Sequence, residues 1–170
     1  MTRSTSLLVT AAAGVMFVGG AMVGWNLLTQ KPETTDPGPS CTDHHVAAGE
    51  NLTANLIEVD VLNASGRSGL ANRVSINLQR HGFLAGSIAN STSEIPIDQV
   101  AIFTEDPEDP LVQLVAQQFQ VTPQIVAPDV KIGDGVTVVV GPNYTDLNEA
   151  APTEITASRD VDVCVPDLEL

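Results

Sequence analysis

The sequence predicts an α+β fold, a small βαββαβ-like sheet with two helices on one face, preceded by one transmembrane helix. Three observations support this: an uncharged apolar run near the N-terminus, a segment where hydrophobic and acidic residues alternate, and two segments with helical spacing. The expected divisions are 1–6 for a cytoplasmic N-terminus, 7–28 for the transmembrane helix, 29–51 for a linker, 52–166 for the folded domain and 167–170 for a tail.

The apolar run Leu7–Leu28 contains no charged residue. A helix of that length rises about 33 Å, which is enough to cross the hydrocarbon core of a bilayer. Trp25 lies near its C-terminal end, where an interfacial aromatic residue is expected. Arg3 precedes the run and all 21 acidic residues follow it, so the positive-inside rule favours a cytoplasmic N-terminus. We therefore expect a single-pass protein of the inner membrane with its main domain outside the cytoplasm.

Two alternatives for this run stay open. A cleaved signal peptide competes with a retained anchor, although the run is longer than a usual signal core and no small-x-small triplet follows it. Gly20 and Gly24 form a GxxxG pair, which is a helix-packing motif, so a homodimer is a further hypothesis.

The chain is acidic, with a formal net charge of −14. Nucleic acid binding requires clustered Lys and Arg, so no nucleic acid partner is expected. The same charge disfavours contact of the domain with an anionic lipid surface. Solubility is the simplest explanation of such a charge.

The two cysteines, Cys41 and Cys164, flank the expected domain. An even pair outside the cytoplasm favours a disulfide, and two free thiols are the alternative. The alternation in Val161–Val165 predicts a strand that carries Cys164 on its outer face. His44 and His45 follow Cys41 closely, but adjacent histidines rarely share one ion, so no metal site is predicted.

The folded region begins with an alternating strand, Ile57–Val61, whose hydrophobic residues share one face. A turn over Asn63–Gly69 follows, with Ser65 or Ser68 as the predicted N-cap of a helix. That helix, Gly69–His81, has apolar residues at helical spacing and a glycine directly after it, where helices commonly stop.

The rest of the domain adds strands and a second helix. Asp109 is a plausible N-cap with proline at the first helical position, and the apolar stripe runs through Gln120. The run Val136–Val140 is nearly continuous in apolar residues, which is typical of a buried strand. Further strands are predicted at Phe83–Ala89, Val100–Phe103 and, more weakly, Gln124–Val126. Two helices on one face of the sheet is the natural packing of this order.

The segment Val59–Val74 (VDVLNASGRSGLANRV), followed by Gly82 and Phe83, resembles the opening of the LytR C-terminal domain family. Ala64 stands where that family usually has glycine, and the run Val136–Gly141 resembles its valine-rich closing strand. The resemblance covers roughly residues 55–145 and brings no catalytic residues with it.

Domains of this family often follow LytR-CpsA-Psr enzymes, which attach glycopolymers to peptidoglycan, and we expect this chain to lack that catalytic domain. A stand-alone, membrane-anchored form with flanking cysteines is similar to envelope integrity proteins of actinobacteria. The resemblance therefore implies a role in the integrity of a complex cell envelope and, in pathogens, in virulence.

The turn Asn63–Gly69 is the candidate binding site because it joins a strand to a helix N-terminus, where backbone N–H groups bind anions. The candidate residues are Asn63, Ser65, Gly66, Arg67, Ser68 and Arg73. A tight turn with a helix cap is the simpler explanation of this segment, and a site for a wall glycopolymer, a phosphate or a carboxylate of an envelope protein is the functional alternative. The pattern is neither GxGxxG nor a Walker loop, so no nucleotide or other cofactor is expected.

Other candidate chemistry has simpler explanations. The acidic stretch Glu105–Asp109 offers calcium ligands, but prolines interrupt it and EF-hand spacing is absent, so helix capping is preferred. The histidines are scattered and no GxSxG occurs, so no catalytic residues are predicted.

The leading hypothesis is a non-enzymatic domain that binds or scaffolds a wall polymer or an envelope protein and supports the cell envelope. The alternative is an accessory regulator or weak phosphotransferase in glycopolymer attachment to peptidoglycan. A purely structural tether is the third possibility.

Overall fold

The computed structural model describes residues 41–166. The predicted transmembrane helix at 7–28 and the tail at 167–170 lie outside the described residues. Within residues 41–166, neither helix has the length and apolar character needed to cross a bilayer.

Residues 41–166 contain nine strands and two α-helices. In chain order they are β1 (Cys41–Val46), β2 (Asn51–Thr53), β3 (Glu58–Asn63), α1 (Leu70–Arg80), β4 (Leu84–Asn90), β5 (Val100–Phe103), α2 (Pro110–Ala116), β6 (Gln124–Val126), β7 (Val136–Val140), β8 (Glu154–Thr156) and β9 (Val161–Pro166). The mixed helix and strand content agrees with the predicted α+β class.

The central sheet has five strands in the order β4-β3-β7-β5-β6. The pairs β3–β4, β3–β7 and β5–β6 are parallel, and β5–β7 is antiparallel. All five residues of β7 are buried, as its continuous apolar run predicts for a strand covered on both faces. Its central position explains why β7 has no solvent-exposed face.

Both helices pack into one hydrophobic core on one face of the sheet. Leu78 of α1 and Leu114 of α2 belong to this core together with Val61 and Val138 from the sheet. The opposite face has a smaller core around Phe103, covered by the chain segments on either side of β5 and β7. The prediction of two helices on one face therefore describes the main core, but the second face is also buried.

The two ends of the described chain pair with each other as an antiparallel ribbon. β1 pairs with β9, and β2 pairs with β8. Val46 and Leu52 on the first arm and Val161 on the second arm are buried in the main core. The predicted linker extended to residue 51, whereas the structure places two strands within 41–53. The segment CTDHHV lacks alternating apolar residues, and its partner lies more than 100 residues later in the chain, so the sequence did not indicate this strand.

The two helix ends differ from expectation in specific ways. Gly69, with φ of +76°, occupies the N-cap of α1 and no side chain caps it, so the prediction of Ser65 or Ser68 as the cap is wrong. The prediction of Asp109 as the N-cap of α2 is confirmed. That helix ends at Ala116 instead of Gln120, because Phe119 leaves the helix and pairs with Leu147 in a β-bridge.

Candidate functional site

The turn between β3 and α1 lies at an edge of the sheet where two parallel strands end together. Asn63 ends β3 opposite Val140, which ends β7, and Val100 begins the antiparallel β5 at the same level. In open sheets, ligands commonly bind in the crevice beyond the carboxyl ends of parallel strands. The topology therefore places the predicted site residues at a position suited to binding.

Asn63 organises this turn through its side chain. Its Oδ1 accepts hydrogen bonds from the backbone N–H of Ser65, at 3.0 Å, and from the Ser65 hydroxyl, at 2.6 Å. Its Nδ2 donates to the carbonyl oxygen of Arg67, at 2.9 Å. The Ser65 Oγ in turn accepts from the backbone N–H of Arg67, at 3.0 Å. These bonds hold the turn in one conformation before any ligand arrives.

Two glycines let the backbone reverse within this short segment. Gly66 and Gly69 have φ values of +67° and +76°, which L-residues with a side chain rarely adopt. Ser68 lies between them and is exposed. The glycines therefore fix the path that the sequence pattern indicated, with Ser65 bonded inside the turn and Ser68 exposed.

Arg67 is exposed and reaches across the sheet edge. Its Nη1 lies 3.4 Å from the carbonyl oxygen of Pro142, in the segment that follows β7. That segment is fixed by Asn143, whose Nδ2 donates to the Asp98 carboxylate at 2.7 Å. Within residues 41–166, the guanidinium of Arg67 forms no other hydrogen bond, so its remaining donors are free for a ligand.

The first turn of α1 contributes unsatisfied backbone donors. Within residues 41–166, the N–H groups of Ala71 and Asn72 have no hydrogen-bond acceptor. Such free donors carry the positive end of the helix dipole and favour an anion nearby. Arg73 is exposed on the next turn of the same helix. The structure thus gathers Asn63 to Ser68 in one turn, with Arg73 on the helix that begins beside it.

The predicted disulfide is confirmed at the far end of the terminal ribbon. Cys41 and Cys164 are bonded, with their Cα atoms 5.4 Å apart. Among the described residues, metal-ligating atoms of three residues converge at Cys41, Asp43 and Cys164, where both sulfurs are held in the disulfide. Nearby, Nδ1 of His45 lies 2.8 Å from an oxygen of Asp162, and this bond raises the pKa of His45.

The acidic stretch before α2 has a structural role. Oδ1 of Asp109 accepts a hydrogen bond from the Leu111 N–H at 2.8 Å, which is the expected capping geometry. Asp106 forms an ion pair with Arg159, and this hydrogen-bonded cation lowers the pKa of the Asp106 carboxyl. Capping accounts for Asp109, as the sequence favoured, whereas Asp106 is held by an ion pair that the sequence did not indicate.

A second concave region was not predicted from the sequence. It is an acidic cavity of about 540 Å³, lined in part by Glu58 and Asp60 of β3, at the sheet edge opposite the turn. Asp60 belongs to the polar set of an alternating strand, so it was expected on an open face, yet its side chain is buried. The segment 127–135 covers that face. Nothing in the sequence around Asp60 predicts that this distant segment packs there.

A known protein family matches the region that contains this turn. The profile of the family described as the LytR cell envelope-related transcriptional attenuator matches residues 56–144. The chain belongs to this family. The LytR C-terminal domain therefore contains β3 to β7, both helices and the turn with Arg67.

Among solved structures, the chain is similar to the soluble domain of a conserved hypothetical secreted protein from Mycobacterium marinum. The two share 25% sequence identity, the match covers 61% of this chain and 69% of the other, and the TM-score is 0.44. No curated protein matches this chain.

Proposed function

We propose that this protein is anchored in the membrane by residues 7–28 and that its LytR C-terminal domain binds an anionic wall polymer outside the cytoplasm. By holding that polymer close to the membrane, the domain would contribute to envelope integrity. Family membership supports an envelope-related role. The Cys41–Cys164 disulfide supports an extracytoplasmic location, because disulfides persist in oxidising compartments.

One observation carries the binding proposal: a preorganised turn presents Arg67 beside free backbone donors at the start of α1. The Asn63 side chain fixes this turn through three hydrogen bonds, so binding would require little further ordering. A guanidinium and free N–H groups together match the oxygens of a phosphate or a carboxylate. The arrangement suits recognition of such a group on a polymer.

The charge distribution of the domain favours selective binding of an anionic polymer over tight binding. The chain carries a net charge of −14, so an anionic polymer is repelled by most of the domain. Arg67 and Arg73 form a local exception at one sheet edge. We therefore expect modest affinity that weakens further as salt screens the guanidinium contacts.

The test is co-sedimentation of the full-length protein, in detergent micelles, with purified cell wall that carries its native polymers. Wild-type protein should sediment with the wall, and Arg67→Gln should reduce the bound fraction severalfold. Arg80→Gln is the matched control, because it removes the same charge at the other end of α1. Equal binding by all three proteins would exclude the turn as the site.

A second arm distinguishes a polymer from a protein partner. Wall stripped of its attached anionic polymers, but otherwise intact, should lose binding of the wild-type protein. Retained binding to stripped wall would contradict recognition of the polymer. Crosslinking of the full-length protein in live cells would then identify an envelope protein as the partner. In cells lacking the gene, expression of Arg67→Gln should fail to restore resistance to envelope stress, whereas Arg80→Gln should restore it.

A further inference from the structure

The acidic cavity lies at the sheet edge where β3 and β7 begin and β5 ends. Glu58, Phe103 and Val136 mark that edge, and the start of α2 and the disulfide end of the ribbon close its sides. Its volume of about 540 Å³ falls within the usual range for small-molecule sites. The cavity is remote from the turn with Arg67, so a ligand here would be separate from the polymer proposed above.

The lining of this cavity combines carboxylates with apolar side chains. Glu58, Asp60 and Asp134 contribute the carboxylates nearest the sheet, and no Lys, Arg or His among the described residues lines it. Burial and the negative charges of Asp60 and Asp134 raise the pKa of Glu58. Leu56, Phe103 and Ile132 contribute apolar wall.

Asp60 supplies the observation that points to a ligand. It is only 5% exposed, and Oδ1 accepts a hydrogen bond from the Ser87 N–H at 2.6 Å. No donor among the described residues reaches Oδ2, although Asp60 lines the cavity. A buried carboxylate with an unsatisfied oxygen is strongly stabilised by a cation beside it.

The residues around Asp60 keep this oxygen accessible. A side chain at Gly133 would collide with Oδ2, so glycine there keeps the space beside the carboxylate open. Thr137 lies opposite Asp60 in register, and its buried hydroxyl has no hydrogen-bond partner within residues 41–166. Thr137 does not line the cavity, so Asp60 is the residue of this pair that faces a ligand there.

The geometry favours an organic cation over a bare metal ion. Among the described residues, ligand atoms of Glu58, Asp60 and Asp134 do not converge closely enough to form a metal cluster. The apolar walls would remain uncovered by an ion but would contact an aliphatic chain. We propose that this cavity binds an aliphatic amine, with the ammonium group at Asp60 and Glu58 and the carbon chain along Leu56 and Phe103.

The test uses the full-length protein in detergent micelles, with cadaverine as the probe and amide NMR as the measurement. Cadaverine should shift the amide signals of Asp60, Ser87 and Gly133, and leave those of Ser65 and Arg67 unchanged. Asp60→Asn should weaken binding by about tenfold or more, because it removes the buried charge. Glu149→Gln, an exposed change of equal charge outside the cavity, should bind as the wild type does.

Pentanol, which has the same carbon chain and no charge, should bind at least about tenfold more weakly than cadaverine. If Asp60→Asn fails to fold, Asp134→Asn at an exposed position should weaken binding severalfold. Absence of cadaverine shifts, equal binding by pentanol, or wild-type binding by a folded Asp60→Asn or Asp134→Asn variant would overturn the proposal. Wall binding by Arg67→Gln tests only the turn, and cadaverine binding tests only the cavity. Each proposal can therefore be refuted without the other.

Discussion

Cys41 and Cys164 connect the first and last strands of the described domain diagonally across the terminal ribbon. Cys164 lies directly opposite Asp43 in the β1–β9 register, and Cys41 lies opposite Pro166. Their Cα atoms are nevertheless only 5.4 Å apart, and 123 positions separate them in the sequence. The bond therefore closes nearly the whole domain into one loop at the ribbon end that lies beside the acidic cavity.

Removing this disulfide should lower the stability of the domain strongly. Closing a loop of this size reduces the entropy of the unfolded chain, so C41S/C164S should lower the free energy of unfolding by about 4–5 kcal/mol. Urea titration followed by circular dichroism measures the change. Reductant should shift wild-type protein to the same midpoint and leave the double variant unaffected. A midpoint that reductant does not move in the wild-type protein would show that the bond contributes little.

Much of the central sheet could be predicted from local sequence, because its signals lie within single segments. The apolar run of β7 and the short strand β5 have the predicted boundaries. The strands β1, β2 and β8 were missed, because their pairing joins distant parts of the chain. Alternation predicted β9, at Val161–Val165, but no comparable pattern marks β1, β2 or β8, and which segments pair is decided only in the folded chain.

The candidate site shows the same division between local and distant information. Asn63 and the glycines after it indicated the turn, because turn chemistry is local. The contact of Arg67 with Pro142 joins segments 75 positions apart and had no signal in the sequence. The burial of Asp60 likewise depends on the cover provided by residues 127–135.

The buried side chain of Gln118 links three parts of the domain, and its replacement should be costly. Its Nε2 donates to the carbonyl oxygens of Leu114, at 3.0 Å, and Pro152, at 2.8 Å. Its Oε1 lies 2.9 Å from Nδ1 of His81, at the end of α1. Gln118→Leu leaves these groups without a partner and should lower the free energy of unfolding by about 1–3 kcal/mol.

Gln117→Leu is the matched control for that experiment, because the neighbouring Gln117 is exposed. Its stability should stay within about 0.5 kcal/mol of the wild type, as is usual for surface positions. Both variants are measured by urea unfolding under the same conditions. Equal midpoints for the two variants would contradict a linking role for Gln118.

The N-cap of α2 offers a test that separates capping from ion pairing. Oδ1 of Asp109 accepts from the Leu111 N–H, and Oδ2 lies 3.8 Å from the Arg159 guanidinium. Asp109→Ala should lower the free energy of unfolding by about 1 kcal/mol, because the first-turn donor loses its acceptor. Asp109→Asn keeps a capping oxygen and removes the charge, so it should retain most of the stability. A similar loss in both variants would assign the effect to the ion pair instead.

The terminal ribbon should respond to pH through His45, which lies opposite Asp162 in the β1–β9 register. The hydrogen bond with Asp162 is the main cause that raises the pKa of His45, and the negative charges of Asp162, Asp160 and Glu50 add to it. Because the folded state favours the protonated imidazole, this pair stabilises the ribbon below the ordinary histidine pKa. The contribution disappears as pH rises through the raised pKa.

NMR titration of the His45 ring protons measures this effect directly. Asp162→Ala should lower the titration midpoint of His45, because it removes both the hydrogen bond and the nearest charge. Glu154→Ala removes an exposed carboxylate from the same ribbon that does not act on His45, so it should leave the midpoint unchanged. In urea unfolding, Asp162→Ala should be less stable than wild type at acidic pH and equal to it at alkaline pH, where the neutral imidazole no longer attracts the carboxylate. An Asp162→Ala midpoint for His45 that equals the wild-type value would show that other groups set the charge of this histidine.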